Sequence, residues 1–211
     1  MAKGGRGGKR SGATGGIKPN DIIDTTSLVS ARETQRSLVD ETLTVFKDVQ
    51  NEYGTIIGDI QLATLKKGSS ALAYYDGENI AVNKAYFNDR IVDAYKQCVD
   101  SGFHPSNGNK TALQAVVAHE IGHKLTSDVG VAMGKSGWGY DFDTVARSIV
   151  EEARKSTRHK GVIQMASKIS GYAEHSNAEA IAEAFSDVYC NGSKAHSESK
   201  AIVNVLNKYL K

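Results

Sequence analysis

The chain has 211 residues, enough for one domain with a sizeable core or for two small ones. Charged residues make up 24% and mean hydropathy is −0.37, which excludes a largely disordered or fibrous chain. No apolar run approaches the roughly 18 residues of a membrane-spanning helix, so no membrane partner is expected.

The net charge of +2 is unevenly spread. Residues 1 to 18 hold Lys3, Arg6, Lys9, Arg10 and Lys18 with no acid, leaving residues 19 to 211 at −3. Seven glycines share the basic segment. It holds too few apolar groups to offset its ordering entropy, so residues 1–20 read as a flexible basic arm. The arm allows loose contact with nucleic acid or an acidic partner, or serves as a solubilising tail. The acidic remainder argues against a nucleic-acid-binding domain. Residues 21–211 read as a single domain. No apolar stretch follows the basic start, so a classical secretion signal is not expected. Cys98 and Cys190 lie 92 positions apart and read as two reduced thiols of a cytoplasmic protein.

From Ser27 to about Gln50, Leu38, Val39, Leu43, Phe46 and Val49 recur at helical spacing, with Ser30 and Glu33 as a capping box. Residues Thr55–Ala63, Ala71–Tyr75 and Asn79–Val82 read as strands, the last two joined at Asp76-Gly77. Helices are predicted from Asn88 to Asp100, Thr111 to Leu125, Phe142 to Ser156, Val162 to Ile169, Asn177 to Cys190 and Ser197 to Leu210. The glycine-rich stretch Ser127–Gly139 reads equally as a lid or as plain connection. The expected fold is α+β, with a small antiparallel sheet, an active-site helix and a mostly helical C-terminal half.

Within the Thr111–Leu125 helix stands His119-Glu120-Ile121-Gly122-His123, an H-E-x-x-H pattern. Histidines at i and i+4 share one helix face and can reach a single metal ion, while the intervening glutamate can activate a water there. Thr126 and Val129 stand where the metzincin continuation needs Gly and His, which excludes that class. A glutamate from a second helix is the remaining choice of third ligand. Glu179, Glu183 and Asp187 fall at i, i+4 and i+8 among alanines. Spacing leaves two frames open: Glu179 as ligand backed by Glu183, or Glu183 backed by Asp187, the E-x-x-x-D form of thermolysin-like enzymes. Ser176 to Glu179 also fits a capping box, so Glu179 could simply close its helix. Tyr172 could be a packing residue, and His104 and His175 read as loop residues.

Read together, His119–His123 and Gly171–Phe185 resemble the anthrax lethal factor catalytic-domain family and the related Pro-Pro endopeptidases. Those proteins carry H-E-x-x-H, then a Tyr, then a Glu seven residues later in a helix of the form N-x-x-E-x-x-A-E-A-F. Tyr172 and Glu179 have that spacing, and Ala182-Glu183-Ala184-Phe185 stands in its place. The resemblance covers about residues 110 to 210, departing at Asp187 and in a longer gap after His123. It implies a zincin-like domain with Zn2+ held by His119, His123 and Glu179. It further implies Glu120 as general base, Tyr172 at the oxyanion and Glu183 behind a ligand histidine. The expected activity is that of a gluzincin-type zinc endopeptidase acting on a peptide or protein substrate in extended conformation. The pattern alone suggests Asn79–Asn83 as an edge strand for such a substrate. The basic start and first helix are also similar to phage structural and head-associated proteins. That likeness implies a phage or host protein as partner, a virion-associated or cytoplasmic location, and, as the alternative function, a non-catalytic phage protein with a protease-like fold.

Overall fold

The computed structural model describes residues 21–55, 58–137 and 139–211; the expected arm at residues 1–20 lies outside them, as does Trp138. Along the chain run β1 (Ile22–Ser27), α1 (Arg36–Tyr53), β2 (Ile60–Leu65), β3 (Ala73–Tyr75) and β4 (Ile80–Asn83). There follow α2 (Arg90–Asp100), α3 (Ala112–Ala132), α4 (Tyr140–Lys155), α5 (Val162–Ala166), α6 (Asn177–Asn191) and α7 (Ser197–Leu210). The expected α+β class holds; the strand expected at Thr55–Ala63 runs Ile60–Leu65, and two larger differences lie in the first half.

The first difference is β1. The helix predicted from Ser27 begins at Arg36, and the residues before it form an edge strand and a short 3-10 turn, Leu28–Ala31. Thr25 and Thr26 are β-branched and pair with Ala63 and Leu62, so strand geometry suits them. Ser30 spends its hydroxyl on the Ser27 carbonyl at 2.6 Å, and no capping box forms with Glu33. The second is the sheet, whose order is β1-β2-β4-β3. β1/β2 and β3/β4 are antiparallel, but β2/β4 is parallel, so the sheet is mixed rather than antiparallel. β4 is therefore an inner strand flanked on both sides, and Asn79–Asn83 cannot serve as a substrate-pairing edge; β1 and β3 are the edge strands. The β3–β4 turn forms as expected around Asp76, whose carboxylate accepts from the amides of Glu78 and Asn79 at 2.9 and 2.7 Å, with Gly77 at φ +106°.

Period-two alternation sends Leu62, Ala73, Tyr75, Ile80 and Val82 into the main core and Ala63, Leu65, Tyr74 and Ala81 to the sheet's other face. α3 lies against the sheet, α1, α4, α6 and α7, and is buried on nearly every side, which fits a sequence apolar all round. Thr111 caps it in a reciprocal box with Gln114. It runs seven residues past its expected end at Leu125, absorbing Ser127–Ala132 of the stretch read as lid or connection.

α6 packs most closely on α3, and Ser186 donates to the Ala115 carbonyl of α3 at 2.9 Å. The crossing is set by Gly122 and Ala182: a β-carbon on Gly122 would fall 2.6 Å from the Ala182 Cα. Two small residues thus bring the backbones together where each helix carries its acid and imidazole groups.

Candidate metal centre

The one-turn spacing of His119 and His123 places both rings on the α6 side of α3, nearly perpendicular at 83° with centroids 5.0 Å apart. Glu179, in the first turn of α6, meets both: its Oε2 lies 3.1 Å from His119 Nε2 and 3.4 Å from His123 Nε2. All three residues are buried, and their ligand atoms lie within 4.8 Å of one another. The group could hold a metal ion.

Ser176 caps α6 by accepting from the Glu179 amide at 3.1 Å, while the Glu179 carboxylate turns to the histidines instead of closing the box. Of the two frames left open by spacing, the first is the one assembled. Asp187 points elsewhere: it accepts from the His196 amide, the His196 ring and the Asn191 side chain, each at 2.9 Å, and so ties α6 to the start of α7.

Glu183, one turn after Glu179, accepts from His119 Nδ1 at 2.7 Å. An ionised carboxylate only accepts, so Nδ1 carries the hydrogen and Nε2 is the ring nitrogen that faces Glu179. Burial opposes the charge on Glu183, but hydrogen bonds from His104 and His119 bring its pKa down to about 2. Burial likewise opposes ionisation of Glu179, and the two histidines outweigh it, holding the carboxyl well below its usual range. Burial alone would keep the His119 ring neutral; its contacts with Glu179 and Glu183 raise it well above the ordinary histidine range. The field at this point therefore favours positive charge.

Two observations fit a cation. Glu120, Glu179 and Glu183 are each less than 10% exposed, and no Lys or Arg lines the cleft that Glu120 and Glu183 border. Three buried carboxylates with no basic side chain carry a large charging cost, which a divalent ion offsets. Moreover, Glu179 Oε2 is buried with no hydrogen-bond donor among the described residues, since its contacts with the two Nε2 atoms lack hydrogen-bond alignment. Two imidazoles and a carboxylate form a donor set suited to a borderline-soft divalent metal.

Glu120 and Tyr172 both line a cleft of about 540 Å³ that opens beside His119. Burial pushes the Glu120 carboxyl up, more than the adjacent histidines lower it. Tyr172 lies in a 3-10 turn, Tyr172–Glu174, just before α6, with its ring stacked on His119 at 5.7 Å and 19°. Its amide donates to the Phe103 carbonyl at 3.0 Å, which fastens this turn to the loop after α2. Burial and then the charges of Glu179, Glu120 and Glu183 raise the phenol, so it stays a hydrogen-bond donor across the neutral range. All six residues expected at the site, His119, Glu120, His123, Tyr172, Glu179 and Glu183, come together.

Two further residues join them that the sequence reading does not place at the site. Ser170 donates its hydroxyl to Glu183 Oε2 at 2.7 Å, and His104 approaches Oε1 of the same carboxylate at 2.9 Å. Nothing in the spacing points to Ser170; His104, beside Pro105, reads from the sequence as a loop residue rather than a ligand. His175 stays outside the ligand group, its ring against Phe103 and Tyr172. The far wall of the cleft is built by Ser70–Ala73, leading into the edge strand β3, and by α2 through Ala94, Tyr95 and Cys98. Neither cysteine is bridged. No helix among the described residues is long and apolar enough to cross a membrane.

Compared with known protein families, curated proteins and solved structures, the chain matches none.

Proposed function

We propose that this chain is a zinc-dependent endopeptidase. The observation that carries the proposal is the convergence of His119, His123 and Glu179 beside a buried Glu120, at the end of an open cleft. A site meant only to hold a metal for stability has no use for a basic carboxylate at its open side.

His119, His123 and Glu179 would hold the ion, and a zinc ion there supplies the Lewis acidity that makes a water nucleophilic near neutral pH. Glu120 takes the proton of the attacking water and passes it to the departing amine. Its raised pKa makes it a better acceptor than an ordinary carboxylate. Tyr172, protonated at working pH, donates to the oxyanion that forms on the scissile carbonyl. Glu183 fixes the His119 ring. These roles match those implied by the likeness to the lethal factor catalytic-domain family. The substrate is an extended peptide, accommodated along the cleft between the chain leading into β3 and α2.

Zinc content of the purified protein, together with chelator-sensitive cleavage of a mixed peptide library, tests the proposal. About one zinc per chain with cleavage lost on chelation supports it. Zinc without cleavage moves the chain to a metal-stabilised, non-catalytic protein such as a phage structural component; no zinc after reconstitution ends the metal reading.

A further inference from the structure

We infer that His104 is a positioning residue of the metal centre, acting through Glu183 on His119; the inference rests on the metal-binding reading above.

Glu183 Oε1 is shared by two imidazoles, His119 Nδ1 at 2.7 Å and His104 Nδ1 at 2.9 Å, and Oε2 takes the Ser170 hydroxyl at 2.7 Å. Because the carboxylate only accepts, His104 Nδ1 must donate. Three donors on one buried carboxylate leave it little freedom to swing. The His119 ring, tied to the same oxygen, inherits that rigidity. Without His104, Oε1 would keep one donor, and the carboxylate could rotate toward the remaining two.

The His104 ring is itself held in place. It stacks on Tyr95 of α2 at 5.5 Å with an interplanar angle of 4°, and the Tyr95 hydroxyl donates to the Pro105 carbonyl at 3.1 Å. Its edge meets Tyr172 at 5.3 Å and 89°. The Gly102–Phe103 backbone is laced to the Tyr172 turn by Gly171 donating to Gly102 at 2.8 Å and Tyr172 donating to Phe103 at 3.0 Å. The loop after α2 therefore supplies a donor 79 residues from Glu183 in sequence, on a ring whose orientation α2 fixes.

Two substitutions separate the donor from the ring. His104→Asn keeps an N–H donor near the Nδ1 position and discards the ring. His104→Phe keeps the flat face against Tyr95 and discards the donor. Zinc affinity is measured by chelator competition, and melting of the metal-free proteins reports folding independently. His104→Phe is expected to weaken zinc binding roughly 10-fold, as loss of a hydrogen-bonding partner behind a ligand does, while His104→Asn stays within about threefold of the parent. The reverse order, equal losses in both, or no change in either overturns the inference. A parent that binds no zinc fails the metal reading itself, whereas a parent that binds zinc while its variants follow one of those other orders fails this inference alone.

Discussion

Gly122 and Ala182 meet across the α3–α6 crossing so closely that a β-carbon on Gly122 would lie 2.6 Å from the Ala182 Cα. Gly122 sits between the two histidines, and Ala182 lies between Glu179 and Glu183, so this contact sets the distance from imidazoles to carboxylates. Gly122→Ala would gain about 1 kcal/mol of helix propensity. The clash is with backbone, which has no rotamer to yield, so the helices must part. Overpacking of this kind costs about 1–3 kcal/mol. A lower melting temperature and weaker zinc binding are expected together, checked by thermal melting and chelator competition. Unchanged zinc affinity would show that the crossing does not set the site.

The acids of α6 divide by what they touch. Glu179→Ala should abolish tight zinc binding, and Glu183→Ala should weaken it roughly 10- to 100-fold. Asp187→Ala should leave zinc affinity unchanged and lower stability by about 1–3 kcal/mol, because it removes the buried acceptor of the His196 amide and ring and of one Asn191 N–H. Zinc titration and denaturant unfolding of the three variants check the order.

Tyr172→Phe retains the ring stacked on His119 and removes the phenolic donor. Peptide cleavage should slow by roughly 10- to 1000-fold with zinc content unchanged. Steady-state kinetics should place the loss in kcat more than in KM, since the hydrogen bond is realised as the oxyanion forms.

Away from the site, His159 Nε2 lies 2.7 Å from Glu198 and links the loop between α4 and α5 to the start of α7. Burial opposes ionisation of Glu198, but bonds from His159 and Ser197 lower its pKa below the ordinary 4.5. A lowered carboxylate adds stability above its unfolded-state pKa and loses it as pH falls through the folded value. Glu198→Gln should therefore melt below the parent at pH 7, with the gap closing once pH drops below 4.5. Melting curves across pH 3 to 7 check this.

The centre was legible because its information is local. The i, i+4 spacing of His119 and His123, and the run of acids among alanines in α6, each specify one helix face. The seven-residue interval from Tyr172 to Glu179 selected one of two ligand frames only through resemblance; the contact of Glu179 with both Nε2 atoms selects it physically. What escaped is long-range or weakly patterned. β1 is an edge strand exposed along most of its length, so no apolar alternation marks it. The parallel pairing of β2 with β4 depends on topology that strand propensities do not encode. His104 and Ser170 act only through Glu183, which no spacing rule links to them.

The central claim is that Glu120 moves protons at a metal centre, and Glu120→Gln tests it most directly. The substitution keeps size and helix preference, removes basicity and leaves His119, His123 and Glu179 untouched. With zinc content matched and the best library peptide as substrate, turnover should fall by at least roughly 10²- to 10⁴-fold. Equal turnover in the parent and Glu120→Gln would contradict the account.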